Sequence, residues 1–166
     1  REHFQRHSSE RCGAIMIYLR NFEEFLKERI VKKQRIDISR AKSLIEEAQK
    51  RNVFLSEMRS KIKISDENAN YFIETAYDII MELIRAKLLA DGFNAAGSYA
   101  HEAEVSYLRL IGFSEPEVRF TNELRYFRNG IVYYGKRFNS DYANKVIEFL
   151  DNTYPKLKQT LREILK

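Results

Sequence analysis

Apolar residues recur at helical spacing along almost the whole chain, and this pattern most constrains the fold. The 166 residues include only two prolines and six glycines, so few positions interrupt a helix. Helices that are apolar on one face must bury that face against one another. The sequence therefore predicts a single all-α domain, an up-and-down bundle of four to five helices.

Capping residues and glycines set the predicted helix boundaries. The predicted helices cover residues 14–29, 37 or 39 to 62, 65–91, 101–111, 114–134 and 140 onward. Residues 30–37 are interpreted as an extended basic connector, and residues 93–98 as a turn. Residues 1–29 are expected to form an N-terminal segment and first helix packed on a bundle of residues 30–166.

Charge and composition restrict the setting and the partners. The net charge of +5, from 29 basic and 24 acidic residues, permits contact with nucleic acid without requiring it. Cys12 is the only cysteine, which excludes an intrachain disulfide and is typical of a reducing cytoplasm. No apolar run approaches the roughly 18 residues of a membrane span, so a soluble, cytoplasmic protein without cofactors is expected.

The segment 125–136 concentrates the candidate functional residues. It reads Arg-Tyr-Phe-Arg-Asn-Gly-Ile-Val-Tyr-Tyr-Gly-Lys, within a predicted helix. Guanidinium, amide and phenol groups suit phosphate contacts and base stacking. The candidate nucleotide-binding or RNA-binding residues are Arg125, Arg128, Asn129, Tyr133, Tyr134 and Lys136. On a regular helix Asn129 and Tyr133 share a face with Arg125 and Lys136, whereas Arg128 and Tyr133 lie about 140° apart.

This segment resembles the signature of the HEPN domain family. These small helical bundles of prokaryotes bind nucleotides or cut RNA through an arginine followed, after four to six residues, by a histidine. Arg128 and Asn129 stand as in that motif, but Tyr133 and Tyr134 occupy the window of the histidine. Residues 40–48, 70–92 and 98–103 are similar to other family elements in the same order, and the wording from Arg125 looks like the archaeal branch.

The resemblance implies a homodimer, often working with a small nucleotidyltransferase. Active family members are metal-independent RNases, frequently toxins, and inactive relatives bind nucleotides or act as protein-interaction modules. In such an RNase an imidazole moves a proton at the ribose 2′-hydroxyl, while an arginine stabilises charge on the phosphate.

Tyr133 is a poor substitute for that imidazole. A phenol with a pKa of about 10 offers little base at neutral pH, and losing acid–base assistance costs typically ~10²- to 10⁴-fold in rate. The candidate catalytic residues are Arg128, Asn129, Tyr133 and His101, the last as a displaced acid–base group near a helix start. No metal site is expected, and the carboxylates of Glu74, Asp78 and Glu82 are interpreted as a solvated face.

Three functions remain open on these grounds. The first is a nucleotide-binding or RNA-binding module that works with a nucleotidyltransferase, and the departure at Tyr133 favours it. The second is a metal-independent, toxin-like RNase that uses Arg128 with Tyr133 or His101. The third is a non-catalytic antitoxin or scaffold subunit in which the charges are solvated and the tyrosines only pack. Basic connector residues are a further candidate phosphate surface: Lys27, Arg29, Lys32, Lys33, Arg35 and Arg40.

Overall fold

A bundle built around one central helix forms the part of the chain that the computed structural model describes, residues 17–166. The elements are α1 (Phe22–Lys27), β1 (Val31–Lys33), α2 (Ile38–Lys61), α3 (Ala69–Ala90), β2 (Phe93–Ala95), α4 (Ala100–Tyr107), α5 (Glu115–Tyr134), α6 (Ser140–Thr160) and α7 (Arg162–Leu165). Helices dominate these residues, which confirms the predicted all-α bundle. None of the described helices has the length and apolar composition that a membrane crossing requires.

Helix α3 is the central element. Thirteen of its 22 residues are buried, and it contacts α2, α4, α5 and α6. Burial of a large apolar side chain stabilises a fold by about 1.5–3 kcal/mol, so Ile80, Leu83 and their neighbours fix this helix firmly. Any polar side chain on α3 is consequently held on a rigid support.

Local capping explains where the long helices begin. Asp37 caps α2, since its carboxylate accepts a hydrogen bond of 2.9 Å from the Arg40 N–H. Ser114 precedes α5, and its N–H donates to the Glu117 carboxylate at 2.8 Å. The predicted starts of α2 and α5 are both confirmed. Helix α5 also ends at Gly135, as predicted.

The predicted first helix is too long. Residues 14–16 lie outside the described part of the chain, and residues 17–21 are not helical. Helix α1 begins at Phe22 because the Asn21 N–H donates to the Glu24 carboxylate at 3.1 Å, which fixes the helix start there. The short helix is held by burial of Phe22 and Phe25.

A two-stranded antiparallel sheet replaces two segments that were interpreted as a connector and a turn. Val31 lies opposite Ala95, and Lys33 lies opposite Phe93. The buried side chain of Val31 anchors the sheet on the core. The third predicted helix also starts later than expected, at Ala69, because the Asn68 side chain and the Ser65 N–H close a turn before it.

Candidate functional site

Arg125 lies on α5 with its guanidinium partly buried and without a counter-charge. Its Nε donates a hydrogen bond of 3.0 Å to Oδ1 of Asn122, whose Nδ2 in turn donates to the Ile17 carbonyl at 3.1 Å. Burial lowers the pKa of Arg125, although a guanidinium remains charged at neutral pH. No carboxylate of residues 17–166 forms an ion pair with it. Arg125 is therefore a partly buried cation available to an external anion.

Arg128 lies one turn further along α5, and its side chain is 22% exposed. Its guanidinium carbon lies 5.4 Å from the ring centroid of Tyr77, a cation–π contact. The nearest carboxylate oxygen is Oδ1 of Asp78, 3.9 Å from Nη2, which is too far for a hydrogen bond. Nε is buried and has no partner among the described residues. An unpaired buried donor costs about 1–3 kcal/mol, so the protein itself leaves the Arg128 guanidinium incompletely satisfied.

His101 at the start of α4 belongs to the same cluster. Its Nδ1 lies 3.0 Å from the hydroxyl of buried Tyr77. Burial lowers the pKa of His101. The charge of Glu104 opposes this shift and the charges of Arg85, Arg128 and Arg125 reinforce it, so the neutral imidazole predominates at pH 7. Burial raises the pKa of Tyr77, which keeps its proton. Nδ1 is therefore tied to Tyr77, and Nε2 remains for a ligand.

Two other carboxylates near the cluster are already paired. Glu104 is 2% exposed, and its two oxygens accept hydrogen bonds of 2.7 and 3.0 Å from Arg85. Glu102 accepts hydrogen bonds of 3.2 and 3.4 Å from Arg20. Glu102 shares Arg20 with Glu28, and its charge partly opposes the lowering of the Arg125 pKa by burial.

The carboxylate row on α3 is not the solvated face that the sequence predicted. Glu82 is mostly buried, accepts a hydrogen bond of 3.0 Å from Arg51, and has its pKa raised by burial. Arg51 also reaches Asp78, at 3.8 Å. Asp78 thus lies between two arginines, Arg51 and Arg128, without a hydrogen bond to either. The described residues contain no group of three side chains that could hold a metal ion.

Of the remaining candidates, Asn129 follows Arg128 directly and is half-buried, Tyr133 and Tyr134 lie at the end of α5, and Lys136 lies just beyond it. Tyr133 is 71% exposed, and Tyr134 is also exposed. The structure does not bring Tyr133 to Arg128, in agreement with their spacing around the helix. The Lys136 side chain folds back over Gly130, where a Cβ would lie 2.9 Å from its Cδ, so a larger residue here would displace this flexible side chain.

The structure brings two of the predicted candidates to one buried side chain. Arg128 of α5 and His101 of α4 both contact Tyr77 of α3, and the regular helix keeps Arg125 on the face that its spacing predicted. Tyr77 and Asp78 were missed, because a buried tyrosine on an apolar stripe resembles core packing. The phenol hydroxyl was the available signal, since a buried one needs a hydrogen-bond partner.

Comparisons with protein-family models, with curated proteins and with solved structures found no match. The side chains around Arg125, Arg128 and His101 therefore carry the functional inference.

Proposed function

We propose that the chain is a HEPN-like module that binds a phosphate of a nucleotide or RNA between Arg125 and Arg128. One observation carries the proposal. Two partly buried guanidinium groups lie one turn apart, and neither has a hydrogen-bonded carboxylate among residues 17–166. Buried charges are normally paired, and an arginine fork matches the oxygens of a phosphate.

Contacts within the protein satisfy the partly buried charge of Arg128 less well than a bound phosphate would. The contact with the buried Tyr77 ring contributes about 2 kcal/mol, as desolvated cation–π contacts do, and Asp78 lies beyond hydrogen-bond distance. Neither contact satisfies the buried Nε. Because Nε is itself closed to solvent, a bound phosphate would contact the exposed part of the Arg128 side chain.

The binding test compares arginines on the same helix. A short fluorescein-labelled RNA is titrated at low salt, and its anisotropy is followed. We expect Arg128→Ala or Arg125→Ala to weaken binding roughly tenfold to a hundredfold, the equivalent of a charged hydrogen bond. Arg119 is the matched control, because it is 66% exposed on α5 and also 3.9 Å from a carboxylate. If Arg119→Ala weakens binding as much as Arg128→Ala does, the proposed site is wrong.

RNA cleavage is a second candidate, favoured by the neutral imidazole beside Arg128. His101 Nε2 could accept the 2′-hydroxyl proton as the 2′-oxygen attacks phosphorus and the bond to the 5′-oxygen breaks. The leaving oxygen takes a proton from water, which yields a 2′,3′-cyclic phosphate and a 5′-hydroxyl, and the imidazolium returns its proton to the hydroxide. Arg128 would neutralise charge on the phosphate during this step. Tyr133 loses its place in this chemistry, because it is exposed elsewhere on α5.

The cleavage test is made in EDTA with a structured RNA. Cleavage by the wild-type protein that disappears in both His101→Gln and Arg128→Ala supports the enzyme, and binding without cleavage supports the module alone. If neither binding nor cleavage responds to Arg128→Ala, the scaffold alternative is correct.

A homodimer and a nucleotidyltransferase partner are part of the same proposal and come from the family resemblance. The exposed Val132, Tyr133 and Tyr134 at the end of α5 offer apolar and aromatic surface for such contacts. Sedimentation velocity of the purified chain measures its mass, and a monomer at all concentrations contradicts the dimer.

A further inference from the structure

Asp78 is the carboxylate within ion-pair distance of Arg128 among the described residues. Other carboxylates near the site have cationic partners of their own: Glu104 pairs with Arg85, and Glu102 shares Arg20 with Glu28. Asp78 is the negative charge closest to a ligand that Arg128 would bind.

Asp78 is close enough to Arg128 to repel an anion bound there, but it forms no hydrogen bond with this arginine. Its Oδ1 is 3.9 Å from Nη2 of Arg128, and its side chain is only partly exposed. A phosphate bound to Arg128 would therefore lie a few ångströms from this carboxylate, where solvent screens the repulsion incompletely. Because α3 is the central, buried helix, Asp78 has little freedom to withdraw.

We propose that Asp78 selects the charge of the bound phosphate. The site accepts the single negative charge of a phosphodiester, as in an RNA strand, and discriminates against the double charge of a terminal phosphomonoester. This inference rests on the proposed function and specifies its ligand. Repulsion by Asp78 is proportional to the ligand charge, so it is about twice as large, on a logarithmic scale, for the dianion.

The test uses two adenosine ligands that differ in phosphate charge. Adenosine 5′-monophosphate is almost wholly a dianion at pH 8, because its second pKa is about 6. The dinucleotide adenylyl-adenosine has one phosphodiester and a single charge. Each is titrated by NMR into the wild type and into Asp78→Asn, which keeps the size of the side chain and removes its charge.

We expect Asp78→Asn to raise the affinity for the dianion by roughly tenfold and that for the diester by only about threefold, the square root of that factor. Glu74→Gln is the control, since Glu74 lies one turn before Asp78 on α3 and forms no ion pair within the described chain. It should leave the ratio of the two affinities unchanged.

The outcomes separate this inference from the proposed function. If binding is lost in Arg128→Ala but Asp78→Asn changes both affinities by the same factor, the selection by Asp78 is wrong and the site stands. If the wild type binds neither ligand, both proposals are overturned. Thermal unfolding of Asp78→Asn checks that the variant is folded.

Discussion

The Tyr77–His101 pair defines the chemistry of the site at the scale of single residues. A buried phenol that keeps its proton and a neutral imidazole share one hydrogen bond. If Tyr77 donates to Nδ1, His101 carries its proton on Nε2 and donates to a phosphate. If Nδ1 donates to Tyr77, Nε2 is a free base.

His101 should titrate below the usual histidine value of about 6.5. Burial disfavours the imidazolium, and the charges of Arg125 and Arg128 add to this effect. The ring can be followed by NMR and assigned with His101→Gln. Because the folded-state pKa is below the unfolded one, the unfolded state binds more protons just below pH 6.5. The stability contributed by neutral His101 is present above pH 6.5 and declines as the pH falls toward the folded-state pKa. An apparent pKa at or above 6.5 contradicts this environment.

Glu104 should contribute measurable stability through Arg85. Glu104→Ala leaves a partly buried guanidinium without two hydrogen bonds, so we expect a loss of about 1.5–3 kcal/mol in the free energy of unfolding. Asp151 provides the control, because it forms a similar two-bond pair with Arg59 at an exposed position. Asp151→Ala should lose about 0–1 kcal/mol. If both variants lose the same free energy of unfolding in urea denaturation, burial of Glu104 does not strengthen its pair with Arg85.

At the scale of elements, the two-stranded sheet could not be predicted from the sequence, whereas helix starts could. Helix starts such as Asp37 and Ser114 were predictable, since a capping residue acts within one turn. The strands are three residues each and pair across some sixty positions, so no local pattern indicates them. The predicted start of the first helix was wrong for a related reason. It followed the apolar stripe, whereas the capping pair of Asn21 and Glu24 sets the start.

Gly92, directly before strand β2, should be a position where any side chain lowers the free energy of unfolding. Its φ is +79°, and a Cβ would lie 3.0 Å from the Gln34 carbonyl oxygen, while its own carbonyl accepts from the Gln34 N–H. Gly112 has a similar φ of +90° with open space around it. Gly112→Ala should cost about 1–2 kcal/mol for the left-handed backbone alone. We expect a larger loss in Gly92→Ala by urea denaturation, and equal losses would mean that the close approach to Gln34 is unimportant.

The site itself is a property of the whole molecule, since it joins α3, α4 and α5. Sequence spacing identified Arg125, Arg128 and His101 as candidates from their chemistry. It could not show that they meet, because their proximity depends on how the helices pack. Tyr133 and His101 were both candidates for the acid–base group, and His101, from a different helix, is the one whose ring contacts Tyr77 of the cluster.

Salt dependence should separate this site from the basic surface of the molecule. The six connector cations, from Lys27 to Arg40, are exposed and have no ion pairs within the described chain. For a short RNA that fills only the site, two phosphate contacts predict a slope of about −1.4 in log affinity against log salt. A longer RNA should show a steeper slope, and Lys32→Gln with Lys33→Gln should reduce it. If these substitutions reduce the slope for the short RNA as much as the slope for the longer RNA, the site and the basic connector form one binding surface.

Asn122 has a practical consequence for anyone who purifies this protein. One side-chain amide holds the guanidinium of Arg125 and also the backbone carbonyl of Ile17. Ile17 and Arg125, the arginine proposed to bind phosphate, thus share one hydrogen-bonding partner, and an affinity tag at the N-terminus would join the chain on the Ile17 side. Biochemical measurements should therefore use protein from which such a tag has been removed, or one tagged at the opposite end.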